Sequence, residues 1–246
     1  MFILRALLWL SFKVRHFTEW SLNLINKFGS VPYDYLLKAL LFAQADKLKA
    51  LEKFNVGCGH YFIKDWLNIT FYGDFYEGII LRQDTGAFFL NLDINKAATI
   101  FSGNIKCVYA SHFIEHLTYD EGLKFLRLAY SGMRKGGAIR LTCPDLTLWT
   151  TKYYENDMAF FNTYKRIYLQ DQDVKSKGDI FMRQLFGGGH KACYDSESLK
   201  SIMEKAGFSQ ISEKKQFESA IPEIREIEPS SEGRSLETLY VEAFKE

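Results

Sequence analysis

Phe54-Asn55-Val56-Gly57-Cys58-Gly59 decides the fold. It reads as a short buried strand running straight into a glycine turn. A strand ending in Gly-x-Gly suggests the first βα turn of an open α/β sheet, where missing side chains let backbone approach a ligand closely. Outward from this turn, Phe88-Phe89-Leu90-Asn91-Leu92-Asp93 reads as a strand ending in a carboxylate, and Ile105 to Ser111 as a further buried strand. Thr118-Tyr119-Asp120-Glu121 is a capping box that starts a helix. Tyr119, Leu123, Leu126 and Tyr130 share one face of that helix, which is expected to stop at Gly136-Gly137. Ala138 to Cys143 reads as an apolar strand ended by Pro144-Asp145. Strands alternating with helices predict an α/β fold: a Rossmann-like, seven-stranded, mostly parallel sheet with helices on both faces. Asp195 caps a later helix with Leu199, Ile202 and Met203 inward and Gly207 at its end. Phe208 to Ser212 and Leu239 to Phe244 alternate as half-buried strands, and without a crossover helix between them they should pair antiparallel, making the last strand antiparallel.

The chain has 246 residues, 47% hydrophobic and 16% aromatic, which suffices for one large domain with an extension. A net charge of +1 gives no field favouring nucleic acid, and none is expected as a partner. The four cysteines, Cys58, Cys107, Cys143 and Cys193, lack C-x-x-C spacing. They read as free thiols in a reducing compartment, so the expected location is cytoplasmic.

Residues 1–34 are expected to form an N-terminal helical extension and 35–246 the main domain. The apolar run at the start is shorter than the about 20 residues a bilayer span needs. Arg5, Lys13 and Arg15 among Trp9, Phe12 and Phe17 suit either a helix on an anionic membrane surface or one packed on protein, so residues 1–17 are a candidate peripheral membrane contact with the inner face. Leu37, Leu40, Leu41, Leu48 and Leu51 give a helical pattern over 35–52, while Phe71 to Tyr76 reads as a loop or strand edge. Residues 146–190, rich in aromatics such as Trp149, Tyr153, Phe160, Phe161 and Tyr164, read as an insertion that caps either an acceptor or simply the sheet.

The glycine turn lacks the third glycine of G-x-G-x-x-G, and no Gly-Lys-Ser/Thr follows, which disfavours dinucleotides and P-loop nucleotides. Val56-Gly57-Cys58-Gly59 followed by Asp65-Trp66-Leu67-Asn68-Ile69 resembles the class I S-adenosylmethionine-dependent methyltransferases. More narrowly it resembles a small bacterial branch, methyltransferase type 11-like, with a GCG turn and a W-x-N segment. Ala110 to Leu117, Met133 to Gly137 with Ile139 to Leu146, Gly187 to Lys191, and Tyr194 to Leu199 agree in order, covering roughly residues 53–210. The resemblance implies S-adenosyl-L-methionine as cofactor and methyl transfer to a small-molecule or glycan acceptor, O-methylation above all. It implies cofactor contacts at Val56, Gly57, Cys58, Gly59, Trp66, Thr70, Leu92, Asp93, Ser111 and His112. Thr70 departs from the family, which has an acid there to hold the ribose diol; a hydroxyl offers no charged, two-oxygen clamp. Asp74 is a candidate substitute, and a catalytically inactive binding or scaffold protein is the alternative reading.

His112, Glu115 and His116 stand at i, i+3 and i+4, one face if helical. Metal-dependent O-methyltransferases use a similar Glu-His pair, but an imidazole at 112 in place of a carboxylate favours a metal-free site. A hydroxyl acceptor gains from a base titrating near neutrality. His116 and His190 are the first candidates and Asp145 the third; Glu115 and His116 satisfying loop backbone groups is the plainer alternative.

Overall fold

The structure, a computed structural model, describes residues 52–70, 79–80, 88–91, 103–170 and 173–246. The chain divides into two units, Met1–Ala50 and Leu51–Glu246, and every element below belongs to the second. The expectations for residues 1–17, the extension boundary at 34, residues 35–51 and 71–76, Asp74, Leu92 and Asp93 lie outside the described residues. No helix among the described residues is long and apolar enough to cross a membrane.

The quoted stretch forms strand β1, Lys53–Val56, whose last three residues are buried. Strands β2 (Leu67–Thr70), β3 (Ile79–Ile80), β4 (Phe88–Asn91) and β5 (Ile105–Ser111) follow. Helix α1 (Tyr119–Gly132) opens on the capping box, with Thr118 and Glu121 satisfying each other's backbone N–H. Strand β6 is Met133–Pro144. Helices α2 (Leu146–Tyr154), α3 (Met158–Tyr168) and α4 (Lys177–Phe186) form the insertion. Helix α5 (Ser196–Ala206), capped by Asp195 and closed by left-handed Gly207, leads to β7 (Ser209–Lys214). Two short helices, α6 (Ile224–Ile227) and α7 (Glu232–Glu237), precede β8 (Thr238–Phe244).

The strands form one mixed sheet in the order β3-β4-β2-β1-β5-β6-β8-β7. The five strands from β4 to β6 are parallel, and β8 runs antiparallel to both neighbours, as expected of the last strand. Among the described residues the sheet has eight strands rather than the seven expected, because the two-residue β3 pairs antiparallel with β4 at the edge. Helix α1 stops at Gly132, earlier than expected. Met133 already pairs with Ile105, so Gly136-Gly137 marks a register shift inside β6 and does not end the helix.

Order reverses between β1 and β5, since β2 lies on one side of β1 and β5 on the other. In open α/β sheets the crevice outside the carboxyl ends at such a switch point is where ligands bind. One face of β5 and β6 packs Cys107, Tyr109 and Ala138 against Ile63, Trp66, Ile221 and Ile224. Arg140 is wholly buried in β6. Its guanidinium meets Glu228 at 2.8 Å and Glu242 at 3.1 Å, donates to the backbone oxygens of Glu218 and Lys215, and lies over the Tyr240 ring. The charge is thus paired and its donors are used, without which its burial would be prohibitive. Trp149 centres a second cluster with Phe160, Phe161, Tyr164 and Ile180.

Candidate active site

The turn after β1 and the turn after β5 meet at the switch point. Gly57 and Gly59 have φ of +70° and +51°, a backbone region that glycine adopts without a Cβ penalty. A Cβ built on Gly57 would fall 2.5–2.6 Å from the Phe113 side chain, so this position needs both the turn and the missing side chain. Val56 and Cys58 are buried. Their side chains are therefore core, and any ligand contact of theirs is through backbone. Burial pushes the Cys58 thiol up to about 12, which removes it as a nucleophile.

The W-x-N segment shapes this turn from beneath. The buried Asn68 side chain accepts from Ile63 N–H (2.9 Å) and Asn55 Nδ2 (2.8 Å), and donates to the carbonyls of Ile63 (2.9 Å) and Trp66 (3.0 Å). Asn55 also donates to Tyr61 O at 2.8 Å. One amide thus satisfies a loop that could not be buried otherwise. Trp66, expected among the cofactor contacts, lies instead in the core against Ile224, 2% exposed. Thr70 ends β2 and is buried.

After β5, His112 keeps the ladder through N–H to Thr142 O (2.8 Å) and then turns left-handed at φ +49°. The 3₁₀ turn Ile114–His116 follows. This kink corrects the expectation that His112, Glu115 and His116 share a helical face. His112 is drawn toward β8, its Nε2 2.8 Å from Thr238 Oγ1, while its Nδ1 stands 3.4 Å from Glu115 Oε1. Ser111 Oγ accepts from Thr142 Oγ1 at 3.0 Å. The loop after α4 is stitched to the turn, because Lys191 and Ala192 N–H both donate to the Glu115 carbonyl, at 2.7 and 3.1 Å. That brings the His116 and His190 rings to 4.9 Å, edge to face. His190 Nδ1 lies 2.7 Å from the Gln184 carbonyl, so Nδ1 carries the proton and Nε2 keeps its lone pair. Burial lowers both imidazole pKa values; in His116 hydrogen bonds to the Gly188–Gly189 backbone offset part of this, and in His190 the Gln184 carbonyl does. Both rings are therefore neutral at pH 7.

Glu115 is the polar group most removed from water at the site, 1% exposed. Neither carboxylate oxygen has a hydrogen-bond partner. Burial above all, with the charge of Glu237 adding to it, pushes its pKa up to about 8. A cavity of about 10 Å³, the size of one water, lies among Glu115, His190, Cys193 and Tyr194. The Tyr194 hydroxyl is likewise buried without a partner.

Asp145 is not brought into this group. Its Oδ1 caps α2, accepting from Thr147 and Leu148 N–H, and burial raises its pKa somewhat. The aromatics of the insertion divide: Trp149, Phe160 and Phe161 pack on one another, whereas Tyr154 and Phe186 are exposed. Sequence reasoning missed the Gln184 carbonyl, because a backbone group leaves no residue signature. It also placed Glu115 in the cluster without its isolation, which only packing reveals.

No family model matches the chain, and no curated protein does. Solved structures to which the chain is similar include S-adenosylmethionine-dependent methyltransferases. One from Archaeoglobus fulgidus is 17% identical, covers 92% of this chain and 99% of its own, and has a TM-score of 0.44. A methyltransferase of Thermotoga maritima described as a possible histamine N-methyltransferase is 16% identical over 79% of this chain and 82% of its own, with a TM-score of 0.46. Phosphoethanolamine N-methyltransferase 2 of Haemonchus contortus, bound to S-adenosyl-L-methionine, is 11% identical over 78% of this chain and 48% of its own, at 0.41.

Proposed function

We propose that the chain is a methyltransferase that uses S-adenosyl-L-methionine to methylate an oxygen of a small or glycan acceptor. The observation that carries this reading is the meeting of the Gly57-Cys58-Gly59 turn with the His112–His116 turn at the switch point. The residues present fit such a cofactor: Gly57 and Gly59 are half-exposed, and no side chain of theirs stands between the backbone amides and the crevice. When bound, the cofactor supplies a methyl group on a positively charged sulfur that leaves as a neutral thioether.

The chain's own part is placement and proton handling. Attack must be in line with the carbon–sulfur bond, so most of the rate comes from positioning. His116 and His190, neutral and 4.9 Å apart, offer nitrogens to the acceptor's hydroxyl proton. With the cofactor bound, its methyl carbon would go to the acceptor oxygen and its sulfur would keep the bonding pair, while His116 or His190 would take the acceptor's hydroxyl proton. Asp145, committed to its helix cap, is the weaker candidate.

Calorimetry with S-adenosylmethionine and its demethylated product tests the reading. Micromolar binding is expected, and no binding of either would sink it. The scaffold alternative keeps cofactor binding but shows no turnover with any hydroxyl acceptor, and Thr70 in place of an acid is the observation that favours it.

A further inference from the structure

We propose that Glu115, His116 and His190 form a site for a divalent first-row transition ion, zinc by ligand type, with a position left open toward the crevice. One ligand atom from each residue lies within 4.8 Å of the others. A tetrahedral zinc site with bonds of about 2.1 Å sets its ligand atoms roughly 3.4 Å apart, so small side-chain rotations close the site. Two imidazoles and one carboxylate suit zinc, iron or manganese better than magnesium or calcium, which prefer all-oxygen shells.

Three independent features of the structure point to a cation. First, Glu115 is buried with both oxygens unbonded. An isolated buried carboxylate costs several kcal/mol unless something positive meets it, and the His112 Nδ1 that stands 3.4 Å away belongs to a ring already tied to Thr238. Second, His190 is held as a ligand would be: the Gln184 carbonyl fixes the proton on Nδ1 and frees Nε2, the arrangement in which a second partner orients a metal-binding imidazole. Third, the cavity beside Glu115 and His190 has room for one water-sized sphere. The metal-free expectation rested on His112 within the ligand set. The left-handed turn at His112 removes it and leaves a three-residue set.

With an ion held, both imidazoles are spent as ligands. An ion there would lower the pKa of an acceptor hydroxyl at the open position, whose proton would then pass to solvent water; with the site empty, the two imidazoles stay free to take that proton. This last step rests on the proposed methyl transfer, whereas ion binding does not.

Cobalt(II) titrated into the metal-stripped full chain tests the site through visible absorption and calorimetry. One equivalent should bind, give d–d bands, and be displaced by zinc. Glu115→Gln, which keeps the size of the side chain, and His190→Ala should each weaken binding at least tenfold. No uptake below millimolar cobalt, or equal uptake by the wild type and both variants, would overturn the proposal and leave the cavity to water. Histidine NMR of the unaltered chain tests the site without variants: one equivalent of zinc should move the His116 and His190 signals, and unmoved signals count against it. Calorimetry with S-adenosylhomocysteine on the same sample separates the two claims. Cofactor binding without ion binding overturns this inference alone, and ion binding without cofactor binding overturns the methyl-transfer reading alone.

Discussion

Gly57→Ala should destabilise the fold by about 2–5 kcal/mol. Two contributions make this up. At φ +70° an alanine pays the left-handed penalty of roughly 1–2 kcal/mol. Its methyl would also lie 2.5 Å from Phe113 Cβ and Cδ2. Phe113 is buried and packed edge-on against Phe125 with centroids 5.2 Å apart, so it has little freedom to retreat, and overpacking of this kind costs about 1–3 kcal/mol. Gly136→Ala is the control. Its φ is +74°, but nothing lies within 4 Å of the added methyl, so only the backbone part applies. Urea unfolding of both variants, read as midpoint shifts at constant slope, gives the difference. A double-mutant cycle with Phe113→Ala should show the Gly57→Ala cost falling by about 1–3 kcal/mol once the ring is gone. If Gly57→Ala costs no more than Gly136→Ala, or its cost is unchanged in the Phe113→Ala background, the two turns do not touch as described.

Asn68→Leu should cost about 2–4 kcal/mol in urea unfolding, since it leaves Ile63 N–H and the Trp66 carbonyl unpaired in the interior and the Ile63 carbonyl with only its 3.4 Å bond from Trp66 N–H; a loss under 1 kcal/mol would mean the loop finds other partners. Glu237, buried and accepting from Trp149 Nε1 at 3.1 Å, has its pKa raised by burial from 4.5 to about 7. Because the folded value lies above the unfolded one, its contribution to stability is fully present below pH 4.5 and is lost as pH rises through 7. The span of 7 − 4.5 = 2.5 units corresponds to about 3 kcal/mol. With chelator present, the fall in urea midpoint between pH 5 and pH 8 should be clearly smaller in Glu237→Gln, with Glu115, Asp145 and Glu228, whose pKa values burial also raises, contributing to the remainder; equal slopes would refute the assignment.

Local chemistry was legible and distant packing was not. Thr118 with Glu121, and Asp195 with Gly207, announce helix ends through contacts three residues away or through backbone handedness, so they read correctly from sequence. The stop of α1 was misread because Met133 is claimed by Ile105 in the sheet, a partner no local pattern shows. Trp66 is read toward a ligand because the W-x-N segment resembles that of the methyltransferases. Its neighbour Ile224 lies far along the chain, and that contact decides its role. The spacing of His112, Glu115 and His116 presumed a helical period that φ +49° at His112 breaks. His116 and His190 are expected as candidate bases, and the structure sets their rings 4.9 Å apart; what joins them is backbone, through the Glu115 carbonyl.

The place of β8 within the sheet has a consequence for synthesis. The last strand of the chain is an interior one, between β6 and β7. Until Thr238–Phe244 has left the ribosome, β6 offers an open edge and β7 has nothing to pair with. Arg140 meanwhile lacks Glu242, one of its two carboxylates. A nascent chain can therefore lay down β1, β5 and β6 early, but the sheet closes only once β8 has been made.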